Sequence, residues 1–112
     1  MNLSIVNANP WFILLGAGLL EIVWAIAMKA SDGYTRWGYT ALTVVAAGLS
    51  FWLLGLSLKS LPVGTAYAVW TGVGAVGATI LGIALLGESA TPARLACIAL
   101  IVLGILGLKL TS

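Results

Sequence analysis

Four long apolar segments occupy nearly all of the chain, and they constrain its fold more than any other feature. They extend over residues 10–29, 37–58, 62–86 and 92–110. Each is close to the roughly 20 residues that an α-helix needs to cross the hydrocarbon core of a bilayer. Only 7% of the residues are charged, which is too few to cover the surface of a soluble domain. The sequence therefore predicts an all-α membrane protein, a single domain over residues 1–112 with four transmembrane helices per protomer.

Prolines stand where three of these helices are expected to begin, at Pro10, Pro62 and Pro92. Proline at the first helical position loses no hydrogen bond, because the N–H at that position has no partner within the helix. Asn9 and Thr91 precede two of the prolines and are favourable N-cap residues. The first ten residues lack a basic start and a small-residue cleavage site, so we expect no removable signal peptide.

The basic residues are divided almost evenly between the two membrane faces. With four spans, both termini share one face, which carries Lys59 and Lys109, whereas the other carries Lys29, Arg36 and Arg94. An asymmetry in lysine and arginine normally sets the orientation of a membrane protein, and two against three is a small bias. Four helices are also few for enclosing a transport pathway. We therefore expect insertion in both orientations and an antiparallel dual-topology homodimer; a fixed orientation, set by the one-charge bias or by a different partner chain, is the alternative.

A single acidic residue, Glu21, lies within the first apolar segment. It is ~12 Å along the helix from Lys29, at 1.5 Å per residue. A charged side chain at the bilayer centre costs about 2.5–3.5 kcal/mol, and removal from water favours the neutral carboxyl. Such a group is expected to hold either a proton or a cation, which is the minimal requirement for proton-coupled antiport. A structural glutamate paired with a polar neighbour is the alternative.

Composition excludes several classes of chemistry. The chain has no histidine, one cysteine and three acidic residues. Metal sites and nucleophilic catalysis need clusters of such side chains. We therefore expect no enzymatic activity, no metal, no cofactor and no nucleic-acid partner.

Two motifs of the chain are specific: Glu21 and Trp24 form an E-x-x-W motif, and KSLPVGTAYAVWTGVGAVG runs from Lys59 to Gly77. They resemble the motifs of the small multidrug resistance family, and in particular of its guanidinium-exporter subtype. The resemblance covers nearly the whole chain after Asn9. It implies an antiparallel homodimer in the bacterial inner membrane that exports guanidinium or related small organic cations in exchange for protons, by alternating access. The tryptophan three residues after the glutamate and the KSLP tetrapeptide favour this subtype over the multidrug subtype.

The resemblance also implies a set of residues around the shared site. Glu21 would accept two N–H bonds from guanidinium, whose fork of donors matches a carboxylate. Trp24 can donate its indole N–H to that carboxylate, and Ser50 and Tyr67 can donate within the same network. Trp70 can present a ring face to the cation.

Glycines are assigned three roles by the resemblance. Gly18, one turn before Glu21, would leave room for the substrate. Glycines of the third segment resemble the kink that changes as access alternates, and two in the fourth resemble the dimer seam, although packing within one subunit would look alike. These are Gly72, Gly74 and Gly77 for the kink, and Gly104 and Gly107 for the seam.

Two other functions remain open from the sequence. The first is efflux of bulkier quaternary ammonium or lipophilic cations, and the second is a non-transporting membrane helper subunit that pairs with a different protein. Transport assays with guanidinium and with tetra-alkylammonium ions distinguish the first from guanidinium export. The second predicts no dimer when the chain is expressed alone.

Overall fold

The structure is a computed structural model that describes residues 9–111. Within these residues it contains four α-helices. They are α1 (Pro10–Ala30), α2 (Trp37–Ser57), α3 (Val63–Leu86) and α4 (Pro92–Thr111). All four are long and apolar enough to cross a membrane, which confirms the prediction of four membrane-spanning helices. Most of the N-terminal stretch for which no signal peptide is predicted lies outside the described residues.

The starts of three helices follow from the residues that cap them. The side-chain oxygen of Asn9 accepts a hydrogen bond from the backbone N–H of Trp11 at 2.9 Å, at the start of α1. Thr91 Oγ1 likewise accepts from the backbone N–H of Arg94 at 3.2 Å, at the start of α4. Pro62 is the N-cap of α3 rather than its first helical residue, because its backbone is still extended there. Each cap satisfies or avoids one of the N–H groups that a helix start leaves unpaired.

The turn between α1 and α2 is fixed by Ser31, which is fully buried. Its hydroxyl donates to the carbonyl oxygen of Met28 at 2.7 Å and accepts from the N–H of Tyr34 at 3.1 Å. Asp32, Gly33 and Tyr34 all have positive φ angles, of 50°, 68° and 67°. A left-handed backbone is costly for tyrosine, so the bonds of the buried hydroxyl help to hold a turn that returns the chain into the membrane as α2.

Helix α1 lies at the centre of the protomer and packs against both α2 and α3. The buried members of the core cluster come from α1 and α3, and Leu53 and Leu54 of α2 pack against them; the buried members are Leu14, Ala17, Ala66, Val69 and Trp70. Helix α4 packs against α3, and no residue along Pro92–Thr111 is buried. Three helices therefore form the core of the protomer, and the fourth is attached to it along one side.

The seam between α3 and α4 depends on Gly72. A Cβ atom at this position would lie 2.8 Å from Ile105 Cδ1, so a larger residue would push α4 away. Small residues permit this kind of close helix contact in lipid. By contrast, a Cβ atom at Gly104 or at Gly107 would meet no atom within 4 Å among the described residues. The side-chain positions of these two glycines of α4 therefore face open space among the described residues.

Candidate functional site

The carboxyl of Glu21 lies between α1 and α3. Its Oε2 atom is buried and has no hydrogen-bond partner among residues 9–111. It faces Gly74 so closely that a Cβ atom added to that glycine would overlap the carboxyl group. An unpaired buried polar group of this kind costs about 1–3 kcal/mol, and more when it is charged. The arrangement is therefore one that a bound proton or cation would stabilise.

Trp24 carries the second unpaired polar atom of this region, since its Nε1 is buried and has no hydrogen-bond partner among the described residues. The donation from Trp24 to Glu21 that the resemblance implies is thus not formed within the protomer. Its ring packs instead beside that of Phe51, with the centroids 6.5 Å apart and the planes tilted by 50°. One buried acceptor and one buried donor, three residues apart on α1, are both left without partners.

Ser50 ties the three core helices together next to this region. Its hydroxyl donates to the carbonyl oxygen of Ala17 at 2.7 Å and accepts from the indole Nε1 of Trp70 at 2.9 Å. Because a serine hydroxyl has a single proton, Ser50 in this arrangement has none to donate to Glu21. Ala17 is one helical turn before Glu21, so the Ser50 bonds set the position of α1 at the depth of the carboxyl.

Four aromatic rings from α1, α2 and α3 form a row, and we call it the aromatic row: Trp24, Phe51, Trp70 and Tyr67. Neighbouring centroids are separated by 6.5, 5.6 and 5.5 Å. Trp70 is buried, whereas Phe51 and Tyr67 are 55% and 58% exposed. The row therefore begins beside the unpaired groups of α1 and ends at the protomer surface.

Phe51 is the member of this row that the sequence did not single out. It has no polar atom and is outside the quoted motifs, so only its position next to Ser50 on α2 indicates it. Its ring contacts both Trp24 and Trp70, which makes it the link between the α1 and α3 parts of the row.

The glycines predicted to admit substrate and to bend α3 lie within closely packed or continuous helix in this structure. Gly18 is buried, and a Cβ atom there would lie 2.7 Å from Val73 Cγ1, so the space beside it is occupied by α3 in this protomer. Its role in admitting substrate stays a prediction. Helix α3 is continuous through Gly72, Gly74 and Gly77, and the kink assigned to them also stays a prediction.

Glu88, just after the end of α3, has a charged partner nearby. Glu88 Oε1 accepts from Arg94 Nη2 at 2.7 Å, and Arg94 Nη1 donates to the carbonyl oxygen of Ser89, also at 2.7 Å. Glu88 and Ser89 lie in the connection between α3 and α4, and Arg94 lies in the first turn of α4. No cluster of metal-ligating side chains occurs among the residues that the structure describes.

Comparison with known proteins identifies the family of this chain. Residues 9–101 match the family model described as Small Multidrug Resistance protein. The chain belongs to the small multidrug resistance family. It is 62% identical, over 102 residues, to a protein of Escherichia coli (strain K12) named "Guanidinium exporter", and the match covers 91% of this chain and 97% of that protein. Proteins of the same name from Salmonella typhimurium (strain LT2) and Citrobacter freundii are each 58% identical over 102 residues, with the same shares covered. The family assignment made from the motifs is confirmed.

Proposed function

We propose that this protein exports guanidinium or related small organic cations in exchange for protons, as a multi-pass protein of the bacterial inner membrane. The observation that carries the proposal is the unpaired Oε2 of Glu21, buried between two helices of a membrane-spanning bundle. The names of the relatives support the choice of cation. A buried carboxylate needs a counter-charge or a proton, and Glu21 has no ion pair with any cation among residues 9–111.

Guanidinium meets the needs of the carboxylate in a specific way. It is planar and permanently charged, and two of its N–H groups can bond the two oxygens of Glu21 in parallel. A proton on Glu21 removes the charge and turns one oxygen into a donor. The two ligands therefore exclude each other at one carboxyl, and exclusive occupancy is what couples their opposite fluxes.

The aromatic row supplies the walls for a flat cation. The faces of tryptophan and tyrosine attract cations, by up to about 2 kcal/mol when desolvated. Trp70 donates its N–H to Ser50 and packs against Phe51 and Tyr67, which positions the row; its ring face is the one predicted to meet the cation. Tyr67, at the exposed end, is free to turn its ring toward a ligand that enters from the protomer surface. Once the Glu21 side chain moves to hold the cation, the unpaired N–H of Trp24 can donate to its carboxylate.

We further propose that the working unit is an antiparallel homodimer. In one protomer the site is open on the side where Phe51 and Tyr67 are exposed, and a second copy would close it. Gly104 and Gly107 lie on α4 without any packing partner in the protomer, which favours their use between copies. The near-even division of basic residues permits both orientations. The glycines of α3 would then supply the bend that differs between the two copies as access alternates.

The transport proposal is tested with the full-length protein in liposomes. Vesicles with an acidic lumen should accumulate guanidinium as protons leave, whereas Glu21→Gln should abolish this exchange because glutamine cannot carry either charge state. Glu88→Gln is the matched control, since it removes an equal charge outside the membrane and should leave exchange intact. Equal transport by the Glu21→Gln variant and the wild type would refute the mechanism.

A second measurement determines the substrate class. Guanidinium should drive proton release at lower concentration than tetramethylammonium, because a quaternary ammonium ion has no N–H to donate to Glu21. If tetramethylammonium is exchanged as well as guanidinium, the bidentate contact with the carboxylate is not what selects the cation.

A further inference from the structure

An open groove runs along the protomer between α1 and α4, with α3 as its floor. Two cavities of about 200 Å³ and about 300 Å³ lie in it. They share Val73 of α3 and both Ile105 and Leu106 of α4, so they belong to one continuous depression, which we call the α1–α4 groove. It exists because α4 packs on α3 and leaves the side of α1 uncovered.

The groove extends from the membrane surface toward the bilayer centre. Its outer end is lined by Trp11 and Lys109, and its inner end by Gly77 and Val102. Lys109 and Val102 are seven residues apart on α4, which corresponds to about 10 Å along the helix. A groove of this length accommodates roughly two-thirds of a lipid acyl chain, since one leaflet of the hydrocarbon core is about 15 Å thick.

The chemistry of the groove changes sharply at its outer end. Apart from Lys109, the side chains that line it are apolar. The Lys109 ammonium lies 5.0 Å from the centroid of the Trp11 ring, in a cation–π contact. It makes no ion pair with any carboxylate among residues 9–111, where Glu88 is paired with Arg94. A positive charge that no carboxylate of the described residues neutralises therefore stands at the mouth of an apolar groove, at the depth where tryptophan and lysine meet lipid headgroups.

We propose that the α1–α4 groove binds an anionic phospholipid, with one acyl chain along Leu15, Val73 and Leu106 and the headgroup phosphate against Lys109. The charge of the site selects the headgroup, because a lysine near the surface attracts anionic lipid and has no preference for a zwitterionic one. The apolar side chains that line the groove select the acyl chain. This site is separate from the Glu21 carboxyl. A lipid bound in it contacts both α1 and α4, and it therefore helps to hold α4 against the protomer.

The proposed dimer seam leaves this groove uncovered. At 100° per residue, the mean direction of Gly104 and Gly107 on α4 is about 180° from that of the four groove-lining residues of the same helix. A second copy that packs on the two glycines would therefore approach α4 from the opposite side. The groove would face lipid in the dimer as it does in the protomer.

The experiment uses full-length protein purified in detergent and freed of lipid, to which defined lipids are added. Native mass spectrometry counts bound lipid, and thermal unfolding gives the stabilisation. Palmitoyl-oleoyl phosphatidylglycerol should bind and raise the unfolding temperature more than phosphatidylcholine with the same chains. Lys109→Gln should raise the concentration of phosphatidylglycerol needed for half-saturation about fivefold, which is the effect of one lysine on anionic lipid, and Lys109→Arg should restore binding.

Two matched controls separate this site from general attraction. Lys59→Gln removes the same charge from the same membrane face away from the groove, and it should bind phosphatidylglycerol as the wild type does. Leu106→Trp fills the groove and should weaken binding, whereas Leu85→Trp, at an exposed leucine outside it, should not. Equal losses in the Lys59 and Lys109 variants would overturn the headgroup contact. Unchanged binding in Leu106→Trp, or a change only in dimerisation, would overturn the placement of the chain.

Discussion

Replacing Gly74 by alanine would place a methyl group in the space that the Glu21 carboxyl occupies. The ideal Cβ position at Gly74 overlaps the carboxyl atoms of Glu21. The carboxyl is the far end of a flexible side chain, so it can turn away at a modest cost in stability, about 1 kcal/mol at the low end of overpacking effects. It cannot turn away and keep the geometry in which both oxygens meet one guanidinium.

The expected loss of affinity follows from the hydrogen bonds that the displaced carboxylate no longer makes. A hydrogen bond to a charged group contributes about 1.5–3 kcal/mol. At 1.4 kcal/mol for each factor of ten, the loss of one such bond weakens guanidinium binding by roughly tenfold to hundredfold. The proton, which needs only one oxygen, should be affected less than the cation.

Binding is measured at equilibrium on the purified protein, for example by isothermal titration with guanidinium, and thermal unfolding is followed in parallel. Two glycines of the same helix serve as controls. Gly64→Ala adds a methyl group where no atom lies within 4 Å, and Gly77→Ala adds one against the side chain of Ile22 instead of the carboxyl. Both should retain guanidinium affinity, although Gly77→Ala should reduce stability and the rate of transport if α3 bends there.

The comparison between the three variants decides the outcome. If Gly74→Ala binds guanidinium as tightly as Gly64→Ala, the Glu21 carboxyl does not lie against Gly74 when the cation is bound. If Gly77→Ala weakens binding as much as Gly74→Ala, the effect belongs to the backbone of α3 and not to Glu21.

Three further predictions concern Ser50, the pH dependence of guanidinium binding and Gly107. Ser50→Ala should lower the free energy of unfolding by about 1–3 kcal/mol, because it leaves the buried indole N–H of Trp70 unpaired, whereas Ser57→Ala, which removes a bond to its own helix alone, should cost less in the same denaturation assay. The half-saturating guanidinium concentration should rise as the pH falls, by up to about tenfold per unit while Glu21 takes up its proton; a binding curve that is unchanged between acidic and alkaline buffer would contradict competition. Gly107→Leu should weaken the dimer in cross-linking and size-exclusion measurements, whereas Gly38→Leu, at another glycine with no atom near its Cβ position, should leave it unchanged.

The helices could be predicted from the sequence because their causes are local. Apolar length, a proline at or just before the helix start and the capping residues Asn9 and Thr91 determined their limits to within one residue. The position of Glu21 in the first helix follows from the same reasoning, since depth along a helix depends only on residue count. The motif around it is specific enough to indicate the family from the sequence alone.

The hydrogen bonds of the site could not be predicted in the same way. Helical spacing places Trp24 and Glu21 on one face, but the rotamer of each side chain depends on the neighbouring helix. In the structure the Trp24 ring lies beside Phe51, and its N–H does not reach the carboxyl. Ser50 bonds a carbonyl of α1 and the indole of Trp70, partners that only the crossing of three helices brings within reach.

The position of α4 has a consequence for how the protein is assembled. This helix is synthesised after the other three, has no buried residue and touches the others mainly along α3. The first three helices can thus complete their own packing before the fourth one is synthesised. Separation of α4 from the bundle should then require little energy in an isolated chain, and its firm attachment should appear only after two chains have met in the bilayer.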